Sequence, residues 1–375
     1  MSILKHRIFN SDHFLDKFAG HEAVLERHLA RWAVPNPPVP VTIASLKDYL
    51  KKPPRGNEPF EHMVETLYQA YDLSTKQGHE FMSDAIEQNQ VEKPGLHDLP
   101  CEVLALTLQI DEPDVFTLAT NYLFASKVDK FVTYKGRESR AIADLPAAVL
   151  RFKNKLGAHF EKIKGTDRIH VDHFTDENTH NFIVYHERRM TAEIELKTEE
   201  GSVVVKSRNF RPARQDFIAY NTKTGRLEIE TPIKKERDLM RTAFAEACLG
   251  EADFFSGTGA EIVTKLQELT KTDFVLKADD GHTAVLREIV FTLPQLHAPR
   301  IAIKSKDAFA TLGLNTLRDG FAGATLKSAR IALKFGERQR AKGIELGSNN
   351  TISFNRATRS AEVISYLVRW GLIVE

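Results

Sequence analysis

The spacing of apolar residues is helical over the first third of the chain. Apolar residues recur at steps of three and four positions, which predicts amphipathic helices. Proline- and glycine-containing stretches, including four prolines between Pro35 and Pro40, interrupt this pattern and end one helix before the next begins. The pattern predicts an all-helical domain over residues 1–130, with helices at 10–33, 45–52, 59–72, 74–88, 99–110 and 113–125.

The pattern changes to alternation after Lys130. A short strand at 131–136 and a helix at 141–163 precede a run of strand-like segments between Arg168 and Thr231, each alternating or rich in β-branched residues. Gly201 and the segment Asn221–Gly225 supply the turn chemistry that hairpins need. We therefore predict an antiparallel β-meander with flanking helices, forming a domain over residues 131–250.

The last third of the chain combines helical spacing of apolar residues with strand-like alternation. Strand-like segments alternate with helical patterns at 260–269 and 360–370, which predicts a mixed α/β domain over residues 251–375. A short hairpin followed by a basic amphipathic helix resembles a winged helix-turn-helix in architecture, although the element order differs. The predicted fold class is α+β, with a helical N-terminal domain, a meander and a winged-helix-like tail.

Composition narrows the class of protein. The chain of 375 residues is 42% hydrophobic and 27% charged, which is typical of a folded soluble protein. Two cysteines are too few for a disulfide framework or a four-cysteine zinc site, and no stretch of eighteen apolar residues occurs. These features predict a cytoplasmic protein with no membrane partner.

The net charge is +1, but basic and acidic residues are unevenly distributed along the chain. Residues 1–130 carry 13 basic and 19 acidic groups, whereas residues 202–241 carry 10 against 5 and residues 321–375 carry 9 against 4. Such a split indicates that the C-terminal half binds a polyanion, or that the two halves bind each other. The acidic helical domain is a candidate surface for protein partners. The candidate nucleic-acid-binding residues are Lys206, Arg208, Arg211, Arg214, Arg330, Lys334, Arg338, Arg340 and Lys342.

One tripeptide permits an enzymatic alternative. Glu195 and Lys197 lie two positions apart on a predicted strand and thus share a face, where a carboxylate could ligate Mg²⁺ beside an activating lysine. Asp172 is the candidate second carboxylate, so the alternative is a metal-dependent nuclease with Mg²⁺ as cofactor. The tripeptide is common by chance, and hairpins rather than a helix surround it. A solvent-facing strand edge is the favoured interpretation, and whether the chain is an enzyme stays open.

Other candidate sites lack a complete set of residues. A group of histidines with one aspartate has metal-ligand chemistry, but alternation along the strands directs its members to different faces. A histidine-rich surface is the favoured interpretation of this group, which comprises His170, Asp172, His173, His180 and His186. Glycines at 250, 257 and 259 precede a helix without the lysine and hydroxyl of a phosphate-binding loop. No metal and no cofactor are predicted.

One spacing carries a family resemblance. The pattern R-P-x3-D-x3-Y-x4-G-x-L is formed by Arg211, Pro212, Asp216, Tyr220, Gly225 and Leu227. It is similar to a pattern in uncharacterised bacterial proteins of phage-defence gene neighbourhoods. With the following helix, the resemblance covers about 40 residues and implies no catalytic residue.

Together these features predict a non-enzymatic component of a bacterial cytosolic system that binds or senses nucleic acid or another polyanion, with antiviral defence as the implied setting. The alternatives are the nuclease and a structural subunit of a multiprotein complex.

Overall fold

The computed structural model describes residues 13–51, 57–199, 202–257, 259–271, 274–279, 281–294, 297, 299–312, 323–336, 341–355 and 359–374. Within these ranges the protein is a mixed α+β structure with eleven α-helices and a large antiparallel sheet. The chain divides into two compact units, Met1–Ala125 and Ser126–Glu375. None of the described helices is both long and apolar enough to cross a lipid bilayer.

The first unit is helical, as the sequence predicts. Helix starts follow the expected capping chemistry, since Asn57 accepts a hydrogen bond from the Phe60 amide and Thr75 accepts one from the Gly78 amide. One continuous apolar core, which includes Leu67, joins the helices. The helices are α1 His13–Asp16, α2 Glu22–Trp32, α3 Ile43–Lys51, α4 Glu58–Leu73, α5 Lys76–Gln88, α6 Cys101–Asp111 and α7 Pro113–Lys127.

The second unit contains fourteen strands among its described residues. They are β1 Lys130–Lys135, β2 Ile169–Asp176, β3 Thr179–Glu187, β4 Thr191–Glu199, β5 Ser202–Phe210, β6 Ala213–Asn221, β7 Arg226–Glu230, β8 Val263–Thr264, β9 His282–Thr292, β10 Arg300–Lys304, β11 Thr325–Phe335, β12 Lys342–Gly347, β13 Thr351–Ser353 and β14 Ile373–Val374. Its helices are α8 Leu145–Lys164, α9 Lys234–Leu249, α10 Ala308–Leu312 and α11 Ser360–Arg369, with a 3₁₀ helix at Leu266–Thr270.

Ten strands form one antiparallel sheet in the order β10-β9-β11-β12-β13-β1-β7-β6-β3-β2. Strand β1 joins its two halves because it pairs with β7 on one side and with β13 on the other. The sheet therefore runs across the predicted boundary at residue 250. Local hairpin signals could not reveal this continuity, because the β1–β13 contact joins segments more than 200 residues apart.

Helices α8 and α9 cover one face of the β2–β3–β6–β7 part of the sheet. Phe152 of α8, Phe182 of β3 and Phe244 of α9 meet in T-shaped contacts, with ring centroids 5.4–6.0 Å apart. All three rings are fully buried. Edge-to-face packing of aromatic rings adds to the stabilisation from burial, so this trio fixes both helices on the sheet.

The meander differs from its sequence-based prediction in one connection. Strand β3 pairs with β6, whereas β4 and β5 leave the sheet and pair only with each other. We call this two-stranded β4–β5 sheet, residues 191–210, the ribbon. The reason lies in burial: residues 181–184 of β3 and 216–220 of β6 are buried without interruption, whereas the described apolar side chains of the ribbon are mostly exposed. Because β3 and β6 are buried on both faces, they pair within the sheet.

The turn between β6 and β7 requires glycine. Gly225 has φ +66°, and a Cβ there would lie 2.4 Å from the Glu138 carbonyl oxygen. Gly281 has φ +80° but open space around its missing Cβ. We expect Gly225→Ala to lower the free energy of unfolding by about 2–4 kcal/mol, because backbone strain adds to a clash with backbone. Gly281→Ala should cost only about 1 kcal/mol, from strain alone. Urea denaturation of both variants measures the difference, and equal losses would contradict it.

Candidate anion-binding cavity

A cluster of charged side chains is buried between the sheet and its two helices. His186 on β3 and Asp216 on β6 face the helices, and His186 Nε2 lies 2.8 Å from Asp216 Oδ2. Their side chains are only 1% and 0% exposed. Burial of a carboxylate is costly unless it is paired, so other charges must complete the cluster.

The two helices supply one charge each. Lys164, the last residue of α8, places Nζ 2.8 Å from Glu236 Oε1 in the first turn of α9 and 3.1 Å from His186 Nδ1. The Phe160 ring stacks on His186 with a centroid distance of 4.5 Å, and Lys164 Nζ lies 4.0 Å from the centroid of the same ring. This packing holds the imidazole and the ammonium group in fixed positions.

Arg214 completes the cluster from β6. One guanidinium nitrogen lies 2.6 Å from Asp216 Oδ1 and donates its hydrogen bond to Thr231 Oγ1 at 2.7 Å. Asp216 Oδ1 and Glu236 Oε2 accept no hydrogen bond from the described residues. Arg214 therefore forms a buried ion pair with Asp216 and a hydrogen bond with Thr231. Two side-chain cations therefore face two carboxylates within the cluster.

Three members of this cluster have metal-ligand chemistry. Ligand atoms of His186, Asp216 and Glu236 lie within 4.8 Å of one another, and all three residues are buried. However, Lys164 and Arg214 already contact the two carboxylates. A divalent ion would have to displace one of these cations or carry two uncompensated charges into the interior. We therefore assign the cluster as a structural ion-pair network.

A cavity of about 640 Å³ opens beside this network. Four cationic residues and one carboxylate line it, together with apolar and small side chains. The lining residues are Ile163, Lys164, Arg188, Arg189, Thr191, Pro212, Ile233, Lys235 and Glu236. The carboxylate of Glu236 is already paired with Lys164. The remaining charge at the cavity is positive.

Three of the cations are available to a ligand. Arg188, Arg189 and Lys235 are exposed and form no ion pair with a described residue. They lie where the ribbon leaves β3 and where α9 begins. Ile233, the N-cap of α9, offers no side chain to the first amide groups of that helix. The N-terminal end of a helix attracts anions, so it adds to the positive potential of these side chains.

Arg211 holds the backbone of two cavity-lining residues in place. Its guanidinium donates hydrogen bonds to the carbonyl oxygens of Lys164 at 2.8 Å and Arg188 at 3.3 Å. The Arg188 amide also donates to the Pro212 carbonyl oxygen at 2.8 Å, which closes the base of the ribbon. Arg211 thus connects the end of α8 to the cationic rim.

The other residues of the predicted nucleic-acid-binding set lie at several separate places. Arg214 belongs to the buried network, with its side chain 12% exposed. Arg208 and Lys206 lie on the ribbon, in register opposite Glu193 and Glu195. These two cations thus lie on the ribbon and are not among the residues that line the cavity.

The C-terminal candidates lie in the other half of the sheet. Arg330 pairs in register with Glu288 on one side and with Glu345 on the other, while Lys304 contacts Glu288 at 3.3 Å. Positive and negative residues therefore alternate along this row. Lys334 is partly exposed on β11, and Lys342 Nζ donates to the Asn355 carbonyl oxygen at 3.0 Å. Arg338 and Arg340 lie outside the described residues.

The three nuclease candidates lie on strands of two different sheets. Asp172 is on β2 of the large sheet, where His170 Nε2 lies 2.6 Å from its Oδ1. Glu195 and Lys197 are on β4 of the ribbon, which pairs only with β5. No strand pairing brings Asp172 beside Glu195 and Lys197.

The histidines of the predicted group separate into three settings. His170 lies beside Asp172, His186 joins the buried network, and His173 Nε2 lies 3.1 Å from His180 Nδ1. Burial lowers the pKa of His173 to about 4, and the neighbouring His180 lowers it in the same direction. The group is thus distributed over the sheet.

Acid should weaken the fold through His173. Its pKa is below the ordinary value of 6.5, so the unfolded chain binds the proton more tightly than the folded protein. Its contribution to stability is full above pH 6.5 and is lost progressively as the pH falls from about 6.5 to about 4. We expect His173→Phe to flatten the fall of the melting temperature over this range. An unchanged pH profile would contradict the assignment.

Arg188, Arg189 and Lys235 are not among the binding residues predicted from the sequence. The available signals were two short basic runs, Arg188-Arg189 before the ribbon and Lys234-Lys235 at the start of α9. These runs lie more than 40 residues apart, so their convergence follows from strand pairing that the local pattern does not give.

The fold and cavity together define an α+β protein with a cationic cavity beside a buried ion-pair network. Comparison of the sequence with protein family models gives no match, and the curated proteins contain no significant match to the chain.

Proposed function

We propose that this protein binds the phosphate groups of a nucleic acid or a related polyanion in the cationic cavity. The observation that carries the proposal is the convergence of Arg188, Arg189 and Lys235 on one cavity without ion-pair partners among the described residues. Arginine and lysine side chains form strong, charge-assisted hydrogen bonds with phosphate oxygens. The cavity volume also lies within the range of small-molecule sites, so it can enclose part of such a ligand.

The buried network holds two residues of the cavity lining in place. Lys164 and Glu236 belong both to the network and to the cavity lining. Because their partners are buried and fixed, the ends of α8 and α9 are held at a constant separation. A preorganised cationic site binds an anion without first ordering its own side chains.

Fluorescence polarisation with labelled oligonucleotides tests the proposal directly. Single-stranded DNA, double-stranded DNA and RNA are titrated with the full chain at rising salt, and polyphosphate serves as competitor. Three phosphate contacts predict a roughly 40-fold loss of affinity for double-stranded DNA between 50 and 200 mM salt. No binding to any of these polyanions at low salt would contradict the proposal.

We further propose a bacterial, cytosolic setting in antiviral defence, as the R-P-x3-D pattern implies. A winged-helix-like use of the tail would place β12, β13 and α11 on DNA together, and Arg330, Lys334 and Lys342 are its candidate contacts. Neutralising these three residues without affecting binding would exclude the tail as the contact surface.

The nuclease alternative has its own test. If Glu195→Gln and Lys197→Ala leave any Mg²⁺-dependent cleavage of DNA or RNA unchanged, these residues are not catalytic.

A further inference from the structure

The cationic cavity is lined by apolar side chains as well as by cations. Ile163 and Ile233 both line it, and their side chains are 44% and 38% exposed. Pro212, which directly precedes β6, adds a third apolar surface to the lining. Apolar side chains that converge with a few charged or polar groups in one cavity are typical of sites that enclose an organic ligand.

The two isoleucines are brought to the same cavity by the Lys164–Glu236 ion pair. Ile163 directly precedes Lys164 at the end of α8, and Ile233 lies three residues before Glu236 at the start of α9. Lys164 Nζ lies 2.8 Å from Glu236 Oε1, and both side chains are buried. Because this contact holds the two helix ends together, the apolar part of the lining is in place before a ligand binds.

Positive charge and apolar surface lie side by side in this lining. Lys235 follows Ile233 by two residues, and the Arg188 amide donates a hydrogen bond to the Pro212 carbonyl oxygen at 2.8 Å. A ligand that contacts both kinds of side chain must join an anionic group to an apolar one. A nucleotide has this combination, because its phosphates are anionic and its base has two flat faces that pack against apolar groups.

The cavity has the size of a site for a small ligand. Its volume of about 640 Å³ lies within the range of about 300–1,000 Å³ that is usual for small-molecule sites. In a double helix each base is stacked and paired, so a protein that encloses one base must first extrude it, at the cost of unstacking. A base in a single strand or in a free nucleotide is accessible without base-pair opening. The cavity therefore favours an unpaired nucleotide.

We propose that the cavity binds an unpaired nucleotide, with its phosphate groups at the three available cations and one face of its base against Ile163 and Ile233. This inference rests on the proposed function and adds the base as a second determinant of affinity. The nucleotide belongs either to a single strand or to a free nucleoside triphosphate, which present the same chemistry to the cavity.

Fluorescence polarisation with two labelled strands tests the contribution of the base. Oligothymidylate and an abasic strand of the same length are titrated with the full chain at low salt. The two strands carry the same number of phosphate groups, so the electrostatic part of their binding is the same. We expect the abasic strand to bind about tenfold more weakly, because it has no base to bury against the isoleucines.

Two unlabelled competitors distinguish the sources of the nucleotide. Thymidine triphosphate and inorganic tripolyphosphate each carry three phosphate groups, but only the first has a base. Displacement of oligothymidylate by thymidine triphosphate at a concentration at least about fivefold lower than that of tripolyphosphate would assign a free nucleotide as ligand. Preference for oligothymidylate over the abasic strand, with equal displacement by the two competitors, would assign a nucleotide within a strand.

Ile163→Gln with Ile233→Gln removes the apolar surface without changing the net charge. We expect this double variant to bind oligothymidylate about tenfold more weakly and the abasic strand within about twofold of the wild type. Leu150→Gln is the matched control, since Leu150 is 58% exposed on α8 and is not among the described residues that line the cavity. Equal losses for the two strands would contradict a contact between the base and the isoleucines.

The wild-type titrations separate failure of this inference from failure of the proposed function, even if the double variant does not fold. Equal affinity for oligothymidylate and the abasic strand would overturn the inference and leave the proposed function intact, because phosphate groups alone would then account for binding. Binding of neither strand, and of no other polyanion, at low salt would contradict the proposed function and this inference with it.

Discussion

Replacement of Asp216 with alanine is expected to lower the free energy of unfolding by about 3–5 kcal/mol. The substitution removes the carboxylate that contacts both His186 and Arg214, and it leaves the Arg214 guanidinium largely buried beside the network. Loss of one partner from a buried pair exposes the full desolvation penalty of the other. Urea denaturation, followed by circular dichroism, measures the change.

Asp172→Ala provides a matched control. Asp172 also lies beside a histidine, with Oδ1 2.6 Å from His170 Nε2, but the His170 side chain is 66% exposed. Exposed ion pairs contribute at most about 1 kcal/mol. A loss for Asp216→Ala that is no larger than the loss for Asp172→Ala would show that the buried network does not stabilise the fold.

Simultaneous replacement of both partners should be less damaging than the sum of the single changes. Arg214→Met with Asp216→Leu removes the cation and the carboxylate together and fills the space with apolar side chains. Buried ion pairs replaced in this way are often neutral in stability. A double variant as unstable as the sum of its parts would indicate that the two residues act independently.

Replacement of two arginines in the cavity lining is expected to weaken ligand binding. Arg188→Gln with Arg189→Gln removes two of the three available cations from the cavity while retaining hydrogen-bonding side chains. We expect affinity for a labelled oligonucleotide to fall by about 10- to 100-fold at low salt, since each phosphate contact is a charge-assisted hydrogen bond at a partly exposed site. Polarisation titrations of the variant beside the wild type measure this loss.

Lys206→Gln with Arg208→Gln is the control for charge. It also removes two positive charges, but from ribbon positions in register opposite Glu195 and Glu193. Affinity should change by less than about threefold, because these cations do not line the cavity. Equal losses in the two double variants would mean that net charge, rather than the cavity, determines binding.

The sequence predicts local structure in this protein better than it predicts the site. Helical periodicity predicts the N-terminal helices, and alternation with turn residues predicts the hairpins around Gly225. Alternation cannot predict that β3 pairs with β6, because the ribbon between these two strands has equally strong strand preferences. Which strand pairs with β3 depends on the burial of both faces of that strand, and this burial is a property of the assembled sheet.

Burial of the charged residues at the cavity could not be predicted from the sequence either. Lys164 and Glu236 resemble solvent-facing residues near the ends of charged helices, yet both are buried by tertiary packing. Arg214 has the same appearance in the sequence as Arg208, but one is buried against Asp216 and the other is exposed. Charge density along the chain predicts a basic region, whereas only the tertiary structure distinguishes an arginine in the buried network from an exposed one.

The salt dependence of oligonucleotide binding shows whether Arg188 and Arg189 contact phosphate groups. The slope of the logarithm of the association constant against the logarithm of salt concentration reports the number of phosphate contacts. We expect Arg188→Gln with Arg189→Gln to make this slope shallower by about 2, whereas the ribbon control should leave it unchanged. An identical slope for the wild type and the cavity variant would contradict phosphate binding in the cavity.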